Sequence, residues 1–187
     1  DSSDEWIRQR TGIQERRWLA EGETLESLCL AAAQQAIERA GLQPTDVDAL
    51  LLSTISHFQQ RPALAPQLAD KLGMVDAVAY DISAACAGFC YGIAQAEALV
   101  RAGSARHVLV IGAETLSEMT DITDRGTAFI FADGAGAAIV GPSDTNGIGP
   151  VIWGSDGAQA SAIWQTADWK AAVGDAIRNS GVARENI

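Results

Sequence analysis

Asp81-Ile82-Ser83-Ala84-Ala85-Cys86-Ala87-Gly88-Phe89-Cys90 is the stretch on which the fold turns. A short apolar pattern, Asp76-Ala-Val-Ala-Tyr-Asp-Ile82, leads into it and predicts a strand over 76–82. A helical pattern leads out of it, from about Ala87 to Val100, with Phe89, Ile93, Ala96 and Val100 on one apolar stripe and Gly103 at its end. A strand that passes directly into a helix leaves Cys86 at the helix N-terminus, where unpaired N–H groups and the helix dipole favour a thiolate. Its neighbours Ala84, Ala85, Ala87 and Gly88 are small and leave room for a substrate. The backbone N–H of Cys86 is a candidate oxyanion donor for an acyl-transfer intermediate. The same placement suits a buried structural thiol, and the residues alone leave both readings open.

On the N-terminal side of this stretch, residues 24–41 predict an amphipathic helix with Leu25, Leu28, Cys29, Ala32 and Ala36 on one face. Thr24 is its expected N-cap, and Gly41 its expected left-handed end. The run Asp46-Val-Asp-Ala-Leu-Leu-Leu-Ser-Thr54 predicts a buried strand, and 63–73 a second helix. On the C-terminal side, His107-Val-Leu-Val-Ile-Gly112 predicts another buried strand. Two further strands are expected at 136–141 and 149–153, joined by a turn over 143–149. Strand, helix, strand, helix, strand implies α/β layering around a mainly parallel sheet. The continuous apolar strands imply that both sheet faces are covered.

The 187 residues suffice for a real core, with 48% hydrophobic and 20% charged residues. No apolar run approaches the roughly 20 residues that span a bilayer, and no basic-then-apolar secretion signal opens the sequence. A membrane partner is therefore not expected. The formal charge of −11 argues against nucleic acid, whose binding depends on Lys and Arg neutralising phosphates. Three cysteines, Cys29, Cys86 and Cys90, are too few for a disulfide scaffold and suggest reduced thiols in a cytoplasmic protein. Cys29 lies on the core face of its helix. Cys90 lies one turn after Cys86 and is expected in the core, since neither a disulfide nor a metal suits that spacing. No metal site is expected, and no G-x-G-x-x-G opens a helix after the first strand, which disfavours a dinucleotide-binding module.

Five segments together resemble the β-ketoacyl-acyl-carrier-protein synthase III family: Ser3-Asp-Glu-Trp-Ile7, Arg10-Thr-Gly-Ile13, Asp81 to Phe89, Thr123-Asp-Arg-Gly-Thr127, and Phe131-Ala-Asp-Gly-Ala-Gly-Ala137. Their order and spacing carry the resemblance, up to about Trp169. It implies a thiolase-like α/β fold, layered α/β/α/β/α in a complete member, with mainly the first half here. Residues 1–169 would be that N-terminal half and 170–187 a fragment of the second. It further implies an enzyme that moves an acyl group from coenzyme A to Cys86 and then condenses it with malonyl-acyl carrier protein, with loss of CO2, to begin a fatty acid. Partners would be acyl-CoA, malonyl-acyl carrier protein and a second copy of the chain. No cofactor is implied beyond the coenzyme A thioester that serves as substrate.

By the same resemblance Trp6 would stack on the coenzyme A adenine with Arg125 on the other side of the ring, a sandwich suited to an indole and a guanidinium. Arg10 and Thr11 would lie near the phosphates and linker, and Phe131 near the acyl tunnel. Taken singly, Trp6 would be a packing residue and Arg10 and Arg125 charged surface; only the shared spacing raises them above that. Asp133 reads as a turn former in a glycine-rich segment, and His57 and His107 as structural or surface residues. The 57–65 loop would lie near the far end of the acyl pocket, where subunits meet.

The sequence departs from the family pattern in three places. A strand and loop are expected before Asp1. Asp168-Trp169 runs straight into Lys170-Ala-Ala-Val-Gly-Asp-Ala-Ile-Arg-Asn-Ser-Gly181, which resembles a helix deeper in the second half, so a closed gap is expected there. The family's catalytic His and Asn segments have no counterpart before Ile187, so the sequence as it stands is expected to accept an acyl group but not to condense it efficiently. Alternatives are a polyketide-priming ketosynthase or acyltransferase of the same fold, and a non-catalytic ketosynthase partner, which the presence of Cys86 disfavours.

Overall fold

The computed structural model describes residues 2–59 and 61–161. Within it the chain forms two compact units. One comprises Ala20–Glu114 and Gly134–Val151; the other takes in residues 2–19, Thr115–Asp133 and residues 152–161. The expected boundary at 169/170 and the helix beginning at Lys170 lie outside the described residues.

The larger unit is built on a four-stranded sheet with strands β1 (Ala49–Ser53), β2 (Val78–Ile82), β3 (Val108–Thr115) and β4 (Asp133–Val140) in the order β2-β1-β3-β4. β1 runs parallel to both β2 and β3, with Ser53 level with Ile82 on one side and Gly112 on the other. Leu50, Leu51 and Leu52 are fully buried, each worth about 1.5–3 kcal/mol of removal from water. Alternation splits them between the faces. Leu50, Leu52, Leu109 and Ile111 join one core with helices α2 (Leu25–Arg39) and α3 (Leu64–Leu72). Ala49, Leu51, Val108 and Val110 join another with Ala96, Ile93 and Leu99 of α4 (Gly88–Arg101). Both faces are thus covered, as continuous apolar strands require.

Chirality explains which helix covers which face. The chain steps from β1 through α3 to β2 in one direction, then returns through α4 past β1 to β3. Two right-handed crossovers in opposite directions put their helices on opposite faces. The chain therefore leaves the carboxyl ends of neighbouring strands β1 and β2 toward opposite sides of the sheet, the kind of position at which such sheets usually bind ligands.

Local signals set the helix limits. Thr24 and Ser27 form a reciprocal capping box, with N–H to hydroxyl distances of 3.1 and 2.9 Å, at the start of α2. Gly41 has φ +68°, as the sequence predicts. The buried face of α2 is Leu25, Cys29, Ala33 and Ile37; the expected Leu28, Ala32 and Ala36 are half-buried beside it, because two packed neighbours, α3 and the sheet, rotate the inward stripe. Residues 149–153 are not a strand. The glycine-rich 133–137 segment, read as a turn, is instead the start of β4: Gly134 and Gly136 face out while Ala135 and Ala137 pack on the core, a period-two pattern that small residues disguise.

The smaller unit carries helix α1 (Asp4–Thr11), capped by Ser3 Oγ accepting from Trp6 N at 3.2 Å and ended by Gly12 at φ +72°.

Candidate functional site

Within the larger unit, Cys86 follows β2 by four residues and lies in a tight 3-10 turn, Ala85–Ala87, that runs directly into α4. Ala85 has φ +45°, a left-handed conformation that costs a non-glycine residue about 1–2 kcal/mol. Cys86, the next residue, is exposed at the helix start. Close packing holds the turn from below. A Cβ on Gly88 would collide with Ser53 Oγ, and one on Gly92 would lie 2.7 Å from Val110 Cγ1, so only glycine lets α4 approach β1 and β3 this closely. Thr54 N also donates to Ile82 O at 3.2 Å, joining the segments that follow β1 and β2.

The three cysteines divide differently from expectation. Cys29 is fully buried; burial, reinforced by the charges of Asp81, Glu114 and Glu26, pushes its thiol from 9.0 up to about 12. Cys90, expected in the core, is exposed, and Phe89 is 36% exposed. The fully buried residues of α4 are Gly88, Gly92, Ala94 and Ala96, with Ile93 and Val100 of the expected stripe packed beside them and Phe89 left out of it.

Two carboxylates that the motif reading passed over hold the same end of the sheet. Asp81, on β2, accepts from Leu64 N at 3.0 Å and Ala65 N at 2.8 Å, capping α3 from another element. Glu114, on β3, accepts from Ile55 N at 3.1 Å, Thr54 Oγ1 at 3.3 Å, and Ser56 Oγ. An acid inside the apolar run Val78–Ile82, and another at the end of Val108-Leu-Val-Ile-Gly-Ala-Glu114, were the available signals.

In the smaller unit the Arg10 guanidinium lies 4.6 Å from the centroid of the Trp6 ring. Phe129, buried, meets that indole edge-on with centroids 5.8 Å apart; sequence reasoning missed it. Arg125 is exposed and donates to Ser2 O at 3.4 Å, beside the start of α1. Thr11 Oγ1 donates to Ile7 O at 2.7 Å and accepts from Ile13 N at 3.0 Å, which fixes the end of α1. Phe131 is half-buried. Trp6, Arg10 and Phe129 thus form one cluster, with Arg125 tied to the same helix start.

Asp133 accepts from Leu19 N, Ser117 N and Ser117 Oγ at 2.8, 2.8 and 2.6 Å, a structural nexus at the head of β4. The histidines are also held structurally: His57 Nε2 lies 3.3 Å from Pro62 O, and His107 Nδ1 lies 2.9 Å from Asp46 O. Among the described residues no cluster of His, Cys, Asp and Glu is arranged to hold a metal ion, and no helix is long and apolar enough to cross a membrane.

A strand-to-helix turn that exposes a cysteine at the carboxyl end of a parallel sheet is the arrangement of a thiolase-fold enzyme, and comparison with known proteins agrees. Residues 80–157, which include Cys86, match the family described as 3-oxoacyl-[acyl-carrier-protein (ACP)] synthase III. Over 169 residues, 90% of this chain and 48% of the relative, the sequence is 53% identical to β-ketoacyl-[acyl-carrier-protein] synthase III 1 of Streptomyces avermitilis. Identity to the mycobacterial synthase III of Mycobacterium avium is 51%, over 90% of this chain and 50% of the relative. The synthase III structure from Thermus thermophilus superposes with a TM-score of 0.82 at 40% identity, covering 88% of this chain and 51% of that one. The priming β-ketosynthase of the R1128 polyketide pathway gives 0.81 at 45% identity, covering 84% and 47%. The chain spans about half the length of the curated relatives it matches. Over the matched residues it belongs to the 3-oxoacyl-[acyl-carrier-protein] synthase III family.

Proposed function

We propose that Cys86 takes an acyl group from acyl-CoA and that the protein then condenses it with malonyl-acyl carrier protein to initiate fatty-acid synthesis. The observation that carries this reading is the exposure of Cys86 in a strained turn between the carboxyl end of β2 and the head of α4. In the first step the Cys86 sulfur attacks the thioester carbonyl, the bond to the coenzyme sulfur breaks, and coenzyme A leaves as a thiolate that takes up a proton. A thiolate serves both as nucleophile and as later leaving group. In the second, malonyl-carrier thioester loses CO2, and the resulting carbanion displaces the Cys86 thiolate to give the β-ketoacyl product.

Trp6, Arg10, Thr11 and Arg125 are proposed to bind the coenzyme, the indole and a guanidinium presenting flat surfaces to the adenine. Because Arg10 already covers one face of the Trp6 ring, the adenine would take the other face or displace Arg10. Phe131 is proposed to border the acyl chain. No cofactor is required beyond the coenzyme A thioester. The setting is proposed to be cytoplasmic, where thiols stay reduced. A homodimer is part of the same proposal: β2 is an edge strand, and Val78 on it is 60% exposed, so its open edge can pair with a second copy.

Incubation with radiolabelled acetyl-CoA tests the first step. The unaltered protein should retain label through denaturation, and Cys86→Ala should retain none; equal labelling of the two defeats the proposal. A priming ketosynthase of polyketide synthesis is the second reading, favoured by the R1128 enzyme's similarity. Product analysis with and without malonyl-acyl carrier protein, across starter thioesters, separates the two.

A further inference from the structure

Alternation along β1 sends Ala49, Leu51 and Ser53 to the face that α4 covers. The first two are apolar, as a covered face requires. The third carries a hydroxyl and is only 5% exposed. Ser53 stands level with Ile82 of β2 and Gly112 of β3, and the first turn of α4 lies across that row. A Cβ on Gly112 would stand 3.0 Å from the Phe89 ring, and one on Gly88 would stand 2.0 Å from Ser53 Oγ and 3.9 Å from Ala84 Cβ. The hydroxyl is therefore aimed at the head of α4, against Gly88 two residues after Cys86 and near Ala84 two residues before it.

No hydrogen bond engages Ser53 Oγ among the described residues. Every fully sealed side-chain nitrogen or oxygen among them has a partner, so this unpaired hydroxyl keeps a narrow opening to its surroundings. The helix head above it has no side-chain cap, either at Ala84 or at Ala87. A buried hydroxyl without a partner is unfavourable, and its proton is free to rotate. The one anion that this place can generate is the thiolate of Cys86, at the positive end of α4.

We propose that Ser53 is a positioning residue for Cys86: its hydroxyl, idle in the resting protein, turns to donate a hydrogen bond, directly or through one water, to the negative charge that forms at the head of α4 when the cysteine ionises. A hydrogen bond to an ionised acceptor is about twice as strong as a neutral one. The use of that bond in acyl transfer rests on the reading of Cys86 as the acyl acceptor.

The titratable groups on the strands that pack against α4 are engaged elsewhere. Asp81 accepts from the Leu64 and Ala65 amides, Glu114 from the Ile55 amide and the hydroxyls of Thr54 and Ser56, and Tyr80 donates to Gln95 Oε1 at 2.9 Å. On α4 itself Glu97 pairs with Arg101, and Cys90 and Tyr91 complete the set. All of them stay in place when Ser53 is changed, so a difference between the two proteins reports the hydroxyl.

The test compares Ser53→Ala, which removes the hydroxyl and little else, with the unaltered chain. Iodoacetamide alkylation is followed from pH 6 to pH 9 and read at Cys86 and Cys90 separately by fragment-ion mass spectrometry. Cys90, exposed one turn further along the helix, is the internal reference. Only the thiolate reacts, so loss of the donor should slow Cys86 relative to Cys90 by about fivefold at pH 7. The deficit should narrow toward pH 9, where ionisation no longer needs the donor. Acylation by acetyl-CoA at pH 7 should fall by a similar factor. The urea midpoint should be equal or higher, because no partner is lost. A merely structural hydroxyl would give the opposite pattern, a lower midpoint with the alkylation curve in place. An unshifted Cys86 curve overturns the proposal, as does a lowered midpoint. A shifted curve in a protein whose unaltered form is not acylated defeats the functional reading and leaves Ser53 in its place; normal acylation with an unshifted curve defeats this proposal alone.

Discussion

Cys29, Cys86 and Cys90 show how differently one side chain behaves in three settings. Cys29 is sealed in the core with its thiol pushed up to about 12 by burial and nearby carboxylates, while Cys86 and Cys90 are exposed. Only the thiolate reacts with alkylating agents. Iodoacetamide at pH 8 should therefore modify Cys86 and Cys90 in the folded protein and reach Cys29 only after denaturation. Tryptic mapping by mass spectrometry reads the pattern; modification of Cys29 under native conditions at the rate of Cys86 would contradict the buried placement. Cys86 was legible from the sequence because its flanking residues are small and change period at that point. Cys90 was not, since its exposure follows from the close seating of α4 on glycine rather than from its spacing.

At the scale of elements, α4 approaches the sheet through Gly88 and Gly92. A Cβ at Gly92 meets Val110 2.7 Å away and one at Gly88 meets Ser53. Overpacking of this kind costs about 1–3 kcal/mol, against a helix-propensity gain for alanine of up to about 1 kcal/mol. Gly92→Ala should lower stability by about 1–2 kcal/mol in urea unfolding with little specific effect on acylation. Gly88→Ala, two residues from the nucleophile, should lower Cys86 acylation out of proportion to its loss of stability. Equal effects of the two on acylation, once matched for stability, would show that the head of the helix has no special role. The helix itself was plain in the sequence, with limits within a residue or so. Of its expected stripe, Ile93, Ala96 and Val100 pack on the core and only Phe89 does not; the glycines that seat the helix went unread because glycine carries little hydropathy signal, and the same blindness hid the start of β4.

For the molecule as a whole, the register of the parallel strands is anchored by Asp48, which accepts from Arg106 N at 2.6 Å and His107 N at 2.9 Å just before β3. The amides of His107 and then Arg106 hold its carboxyl below the ordinary 3.8. A depressed acid pKa contributes stability that is complete above the unfolded value and is lost as pH falls through the folded one. Asp48→Ala should thus lower the urea midpoint at pH 7, by an amount equivalent to about 1 kcal/mol given its exposure. That deficit should narrow as pH falls below 3.8. Parallel unfolding curves for the two proteins at pH 7 and pH 3 check this; a deficit independent of pH would mean that the carboxylate's charge plays no part.

The amino-acid order by itself determined the alternation of strands and helices, the double covering of the sheet, the caps at Thr24 and Gly41, and the cysteine at a strand-to-helix turn. Each is a local or periodic property, encoded within a few residues of where it acts. The tertiary structure alone decided that Ala85 bears a left-handed conformation, that Arg10 lies over Trp6 with Phe129 at its edge, and that Asp81 and Glu114 close on backbone far away in sequence. Those contacts join residues separated by anything from a handful to more than a hundred positions. A hydrogen bond to a distant amide leaves no period in the chain that makes it, so only folding brings donor and acceptor into view.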